Sequence, residues 1–394
     1  MKSSVLQRDI FSKIESFLGT NNILVLHGAR QVGKTHIMYY IEDYLQKKGE
    51  TTHYIDLEDS RYVEILDGGV ESFLDYLKGE GLGNKKLTVL IDEIQYLENP
   101  SSFLKLIADH NSEIQLIVSG SSSFNIKSKF SDSLVGRTVN FEVYPLSFTE
   151  FLRFKETKTS MTDRLTNLYK EYIAYGGYPK IVLDDDISHK ETYLQQIIDT
   201  YIKKDISDLA NIKNTKKFND LLKILASSSG QLINIQELSS ICGIASQTIT
   251  NYLEILEETY ILRLVSPFST SAKVEVAKTP KVFFYDTGIL QMLWLKKLQK
   301  EPVGNVLETS IFSELVKKFG VENINYWRNK NLNEVDFILK TKEGILPIEV
   351  KYNFTQFKKA KINSFLEKYK VKDFYVVALL GKKLKPYHKF PWEI

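Results

Sequence analysis

The chain of 394 residues has one cysteine, Cys242, and only nine prolines and three tryptophans. A single thiol excludes a disulfide framework and any zinc site built from cysteines. It fits a reducing compartment, and a cytoplasmic location is expected. No apolar run is long enough to span a bilayer, so no membrane contact is expected. The N-terminal "MKSSVLQRDIFSKIESFL" lacks the apolar core of a signal peptide and reads as an amphipathic helix. The six histidines show no metal-ligand clustering, and His27 and His36 read as structural. A strong net charge is also missing: 52 Lys and Arg oppose 49 Asp and Glu, giving +3. The excess is local. From Lys351 to Lys389, eleven lysines accompany only Glu367 and Asp373. Such a tail suits contact with a polyanion, or it is a solvated surface; composition does not choose between the two.

What is present is ordinary for a globular protein, with 43% hydrophobic and 26% charged residues. The length suggests two or three domains. The run Gly28-Ala29-Arg30-Gln31-Val32-Gly33-Lys34-Thr35 matches G-x-x-x-x-G-K-[ST] in full. It follows the apolar run "ILVLH" and opens the helical pattern "THIMYYIEDYL", which begins at Thr35-His36. In that setting the loop backbone curls around phosphate oxygens, and the helix start favours an anion. Lys34 would reach the β- and γ-phosphates of ATP, and the Thr35 hydroxyl would ligate Mg²⁺. "KKLTVLIDEIQYL" reads as a buried parallel strand ending in Asp92-Glu93. Asp92 would hold Mg²⁺ through water, and Glu93 would polarise the attacking water. "EIQLIVSGSSS" is a further strand. Its Ser119 or Ser121 would sense the γ-phosphate, or the serines form a simple turn. With "THYIDLED" and "TVNFEVYPL", five strands alternating with helices indicate a doubly wound parallel sheet.

The P-loop, "LIDEIQ", "IVSGSSS", "LVGRTVNFEVYPLSFTEFL" and "YGGYP" together resemble a prokaryotic family of AAA+-type ATPases. In that family a C-terminal restriction-endonuclease-like domain often follows. The resemblance covers nearly the whole chain. It implies ATP hydrolysis and, through an arginine finger, a homo-oligomer; Arg137 of "VGR" is the candidate, with pairing to a local carboxylate as the other reading.

Ser147 and Glu150 predict a capping box at the start of a helical region that resembles an AAA+ lid. "NIQELSSICGIASQTITNYLEILEETYILRLV" has helix-turn-helix spacing with Gly243 at the turn, and "YILRLVSPF" with "KVEVAK" would form a β-wing. Gln247, Thr248, Thr250 and Asn251 would face bases. The second helix, however, carries Glu254, Glu257 and Glu258 and no Lys or Arg, so a packing module is an equal reading.

"YWRNKNLNEVDFILKTKEGILPIEVKYN" reads as strands joined by a hairpin at Gly344. Alternation puts Glu349 and Lys351 on one face, and antiparallel pairing would bring Asp336 near Glu349. Glu308 lies on an upstream amphipathic helix. This D…E-x-K set is that of the PD-(D/E)XK nucleases. The resemblance implies Mg²⁺-dependent phosphodiester hydrolysis of DNA, duplex or branched. Asp336 and Glu349 would be metal ligands, Glu308 an accessory ligand and Lys351 the catalytic lysine. The departure is "EVDF", which has no proline before the Asp. An inactive nuclease-derived domain in an ATP-dependent DNA- or protein-binding switch is the alternative.

The expected organisation is therefore α/β throughout. Residues 1–146 form a P-loop ATPase core, 147–229 a helical lid, 230–280 a winged-helix-like module and 281–394 a nuclease-fold domain.

Overall fold

The computed structural model describes residues 6–83, 86–120, 134–206, 212–269, 279–301 and 305–394. The chain divides into two compact units. One comprises Met1–Tyr144 with Glu258–Tyr260, and the other Pro145–Glu257 with Ile261–Ile394.

In the first unit the elements follow the order α1 (Phe11–Glu15), β1 (Ile23–His27), α2 (Lys34–Lys47), β2 (Thr51–Asp56), α3 (Ser60–Asp67), α4 (Val70–Gly79), β3 (Leu87–Asp92), α5 (Pro100–His110), β4 (Ile114–Gly120) and β5 (Thr138–Glu142). The strands form one parallel sheet in the order β2-β3-β4-β1-β5. Every residue of β1 and β3 is buried, which is why both read as continuous apolar runs instead of alternating ones. Helices α3, α4 and α5 bring Leu66, Phe73, Leu77, Phe103 and Leu104 onto Val89, Ile91 and Val118. Each such side chain contributes about 1.5–3 kcal/mol by leaving water. Asp59 caps α3 by accepting the Arg61 N–H, and Pro100 starts α5 where its missing N–H costs nothing. Beyond β5, the Val143 N–H still donates to the His27 carbonyl at 2.7 Å.

The second unit begins with helices: α6 (Phe148–Phe154), α7 (Thr162–Tyr175), α8 (Pro179–Leu183), α9 (Ile187–Ile197), α10 (Thr215–Ser227), α11 (Ile235–Cys242) and α12 (Ser246–Glu258). Both halves of the Ser147/Glu150 capping box are made. Gly243, left-handed with φ 61°, ends α11 and turns the chain into α12. On α12, Gln247 and Asn251 are exposed and bond each other at 3.1 Å, while Thr250 returns its hydroxyl to the Ser246 carbonyl. β6 (Leu262–Val265) then pairs antiparallel with β7 (Lys281–Phe284). "KVEVAK" lies outside the described residues, and the strand paired with β6 is "KVFF", whose four residues are all buried.

After α13 (Thr287–Leu295) and α14 (Val306–Phe319) come β8 (Ile324–Arg328), β9 (Glu334–Thr341), β10 (Gly344–Asn353), α15 (Ala360–Tyr369), β11 (Tyr375–Leu380) and β12 (His388–Lys389). These strands form a mixed sheet in the order β12-β11-β10-β9-β8, antiparallel from β8 to β10 and parallel from β10 to β12. Phe312 of α14 stacks on Phe283 and Phe337. Phe365 of α15 joins Trp327, Val335, Phe374 and Val376 in a second cluster. The C-terminal segment docks as expected: Trp392 stacks on Phe390, 4.9 Å between centroids, and tilts onto Phe148 and Tyr169.

The "GGYP" glycines are explained by crowding. A Cβ on Gly176 would meet the Asp286 carboxylate at 2.4 Å, and one on Gly177 would lie 2.5 Å from the Leu146 carbonyl oxygen. Asp286 is buried and caps α13, accepting N–H bonds from Gly177 at 2.7 Å and Ile289 at 2.9 Å. Asp286→Ala removes both acceptors and leaves two buried N–H groups unpaired. The expected loss of unfolding free energy in the second unit is on the order of 2–4 kcal/mol, read from the denaturant midpoint; an unchanged midpoint contradicts this account.

Candidate functional site

In the first unit the P-loop joins the carboxyl end of β1 to α2. Gly28, with φ 155°, approaches the next strand so closely that a Cβ would stand 2.1 Å from the Val143 carbonyl oxygen. Only glycine fits there. Gln31 (φ 62°) and Gly33 (φ 98°) are also left-handed, which bends the loop round on itself. Ala29 and Val32 are buried, and Arg30 is exposed at the rim. Arg8 clamps this arrangement: its guanidinium donates to the Val32 carbonyl and to the Tyr144 carbonyl, each at 2.8 Å.

Lys34 is buried and folds over the loop, donating to the carbonyls of Gly28 at 3.0 Å and Ala29 at 2.8 Å. Burial lowers its ammonium to about 8, while Glu93 and Asp92 pull it back up. A phosphate arriving in the loop offers this cation a better partner than two carbonyls. Thr35 donates its hydroxyl to Asp92 Oδ2 at 2.7 Å, and Tyr54 donates to the same oxygen at 2.8 Å. The other carboxylate oxygen accepts from the Ser119 hydroxyl and, at 3.1 Å, from the Glu93 N–H. Asp92 is thus fixed from β2, β4 and α2. A hydroxyl and a carboxylate in contact are the hard oxygen donors that Mg²⁺ takes, so these residues fit that ion. Glu93 sits in the left-handed region at φ 56°, and Gln95 donates to its carboxylate.

Of the two candidate γ-phosphate serines, Ser119 is bound to Asp92, and Ser121 lies outside the described residues. Neither histidine lies in the loop. His27 places Nδ1 2.5 Å from the Tyr260 hydroxyl, and exposed His36 packs edge-on against Tyr39. Arg137 forms a two-point fork on Asp109, with Nε at 2.6 Å and Nη2 at 3.1 Å. The local-carboxylate reading of Arg137 is the arrangement observed.

The second unit holds a different charged cluster. The β9–β10 ladder runs from Gly344↔Thr341 to Ile348↔Phe337, a register that sets Asp336 opposite Glu349. There the strands part. The Val350 N–H donates at 2.7 Å to Asp336 Oδ2 instead of to a main-chain carbonyl. Lys351 lies between the acids, donating to Glu349 Oε2 at 2.7 Å and to Asp336 Oδ2 at 3.2 Å. Burial alone would lower Lys351, but Asp336 and Glu349 outweigh it and hold the ammonium above its ordinary value. Burial and the Asp336 charge push Glu349 up to about 7, with Lys351 opposing. Its second oxygen, Oε1, is buried without a hydrogen-bond partner.

Glu308 is held apart from this pair. Lys281, buried at the start of β7, donates to Glu308 at 3.2 Å and pairs with Glu334 at 2.6 Å. Burial first, then the Asp336 charge, push Glu308 up to about 8 against the pull of Lys281. Among the described residues no group of three His, Cys, Asp or Glu side chains converges on one metal position. The expected trio of Glu308, Asp336 and Glu349 is divided because Glu308 faces Lys281 while Asp336 and Glu349 share Lys351. Four carboxylates against Lys281, Lys351 and the more distant Arg328, 3.7 Å from Glu334, nevertheless leave the cluster net negative when all are ionised. With the unpartnered Glu349 oxygen beside Asp336, that donor set fits one divalent cation.

Several functional side chains escaped sequence reading. Lys281 had a signal, being the one cation opening the apolar run "KVFFYDTGILQMLWL". Gln95 lies next to Glu93 in sequence, but Tyr54 is remote from Asp92 and only the parallel β2–β3 register brings the two together. Arg8 gave no signal, because its partners are main-chain carbonyls far along the chain.

Comparison with known proteins gives three matched segments. Residues 20–152 match an AAA domain, residues 166–301 a domain of unknown function (DUF8612), and residues 303–389 another (DUF4143). An uncharacterised protein of Methanocaldococcus jannaschii is 30% identical over 86% of this chain and 76% of its own. One of Haemophilus influenzae is 28% identical over 90% and 88%. Among solved structures, a Walker-type ATPase of Pyrococcus abyssi aligns with TM-score 0.47 at 16% identity, covering 72% of this chain and 93% of its own. The P-loop geometry and the AAA match agree, and the chain belongs to the same family as the Methanocaldococcus protein, a family of AAA-type P-loop ATPases.

Proposed function

We propose that this ATPase controls a metal-dependent nuclease domain of the PD-(D/E)XK type that acts on DNA, and that residues 281–394 form that domain. The observation that carries the reading is the parting of β9 and β10. Asp336 replaces a ladder acceptor there, Glu349 stands opposite with one oxygen unpartnered, and Lys351 bridges them. A structural ion pair needs no such gap in the sheet.

The ATPase step uses residues already in position. Lys34 leaves the Gly28 and Ala29 carbonyls for the β- and γ-phosphates. Thr35 and Asp92 hold Mg²⁺. Glu93, steadied by Gln95, orients the attacking water. In the nuclease domain Asp336 and Glu349 hold the metal, with Glu308 accessory. Mg²⁺ supplies charge neutralisation and Lewis acidity at the phosphate. Glu349, held near neutrality by burial, ionises when a cation faces it. Lys351, held protonated by its two acids, steadies the developing phosphate charge. The helix-turn-helix of α11 and α12 with the β6–β7 hairpin forms a winged-helix module. Arg137 acts across a homo-oligomer once its fork on Asp109 opens.

One observation favours a second reading, an ATP-dependent switch with an inactive nuclease fold. Lys281 already neutralises Glu308 and Glu334, so the cluster is partly balanced without metal.

Lys34→Ala is expected to lower ATP turnover at least 100-fold, measured by phosphate release. Arg8→Ala removes two charge-assisted bonds on the loop, worth roughly 1.5–3 kcal/mol each. It should weaken ATP binding tenfold or more in calorimetry while leaving the second unit's unfolding transition in place. Asp336→Asn and Lys351→Met should abolish Mg²⁺-dependent cleavage of single-stranded, duplex and branched DNA with ATP turnover retained, and EDTA should do the same to the wild type. Wild-type protein that hydrolyses ATP and cleaves none of these DNAs moves the assignment to the switch.

A further inference from the structure

The second unit has an open pocket of about 390 Å³ that none of the roles above uses. Its wall is aromatic. Trp327 closes β8, Tyr369 closes α15, and Phe268 lies between the wing and the sheet. The rings meet edge-on, Phe268–Tyr369 at 5.2 Å and Trp327–Tyr369 at 6.4 Å between centroids, with Phe365 behind Trp327 at 5.2 Å. Packing therefore fixes the wall before any ligand arrives.

The rim is cationic. Arg328, Lys330 and Lys368 line the pocket, and among the described residues no acidic side chain does. Their charges are poorly matched. Arg328 Nε is 3.7 Å from Glu334, longer than a hydrogen bond, and Lys368 sits 5.1 Å over its neighbour's ring. Lys330 makes no ion pair with any described residue. The hairpin that presents it is stiff, since Asn329 Oδ1 accepts the Asn333 N–H at 3.0 Å and Leu332 is left-handed at φ 61°.

Aromatic walls with three under-matched cations select a ligand that is both flat and anionic. Inorganic phosphate uses the cations and ignores the rings. An acidic peptide supplies charge without a flat face. Duplex DNA keeps its bases stacked inside and offers phosphates alone. A nucleotide with an unpaired base satisfies both halves, by ring stacking and by charge. The volume lies at the low end of the range for small-ligand sites, consistent with one nucleotide.

The pocket also adjoins the acidic cluster. Arg328 at its rim faces Glu334, which pairs with Lys281 and so with Glu308. Asp336 is two residues further along the same strand, about 7 Å.

We propose that this pocket holds one unpaired nucleotide of a single-stranded polynucleotide, its base against Tyr369, which the buried Trp327 backs, and its phosphate on Arg328, Lys330 and Lys368. The inference deepens the nucleic-acid reading of this domain and rests on it, naming the strand type and a holding site beside the cluster.

The test is fluorescence anisotropy of a labelled fifteen-residue oligo(dT) with the full chain in EDTA, so that cleavage does not intervene. Lys330→Gln with Lys368→Gln should weaken binding at least tenfold and flatten the log–log salt dependence by about 0.7, the value for one lost phosphate contact. Tyr369→Leu keeps the charge, and should weaken binding about fivefold or more with the salt slope unchanged. Unlabelled duplex of equal length and poly-glutamate should compete at least tenfold less well than oligo(dT). Pocket variants that bind oligo(dT) normally, or duplex or poly-glutamate competing equally, overturn the pocket while leaving the nuclease reading to its cleavage assay. Pocket-dependent binding without cleavage on any substrate upholds the pocket and sinks the nuclease. No binding to any polynucleotide sinks both.

Discussion

Charge withdrawn from water must be matched, and the organisation of both units follows from that demand. A buried ion without a partner costs several kcal/mol, so isolated buried charges are not tolerated. In the first unit Asp92 is surrounded by three side-chain hydroxyls and one N–H, and Lys34 is covered by carbonyls of its own loop. These partners are neutral dipoles. They hold the charges in place and leave them uncancelled, which keeps a nucleotide and its metal the strongest partners available. The second unit matches charge with charge, two lysines among four acids. That arrangement is tighter and harder to open, although burial and the Asp336 charge still push Glu308 and Glu349 up against the pull of their lysines.

The motif series that marks this family has mostly a structural meaning. The Leu146 N–H donates to the Gly177 carbonyl, and the Leu146 carbonyl accepts from Tyr172 and Lys317. Glu314 on α14 accepts from the Phe148 N–H and the Tyr172 hydroxyl. "YPLSFTEF", "YGGYP" and the Asp286 turn thus form one buried polar knot, in which each residue supplies a donor or acceptor that another requires. None of these groups touches either charged site. The distinctive part of the sequence is where the second unit is fastened together, and the chemistry sits in the shorter, commoner motifs.

Those short motifs were legible because they are local. A loop of eight residues or an alternating strand carries its whole geometry in its own spacing, as Gly28 to Thr35 and Glu349 to Lys351 do. The parallel sheet was readable for a related reason, since burial on both faces leaves apolar runs such as "LTVLID". What could not be read depends on register between distant segments. Lys281 meets Glu308 and Glu334 only because β7 and β9 come together, and Arg8 meets Val32 through main-chain atoms that any residue supplies.

The division of the chain into units has a consequence for its synthesis. The first unit includes Glu258–Tyr260, although the rest of it ends at Tyr144. Tyr260 supplies the hydroxyl that meets His27 at the end of β1 and Glu142 at the end of β5. A ribosome making this protein releases the whole P-loop early, yet it must add more than a hundred further residues before that hydroxyl exists. At typical elongation rates the interval is on the order of ten seconds. Through that interval the nascent ATPase sheet holds a buried histidine and a glutamate without this partner. The helices of the second unit emerge from the ribosome before the first unit is complete, so neither unit is a bead that finishes folding before the next one begins.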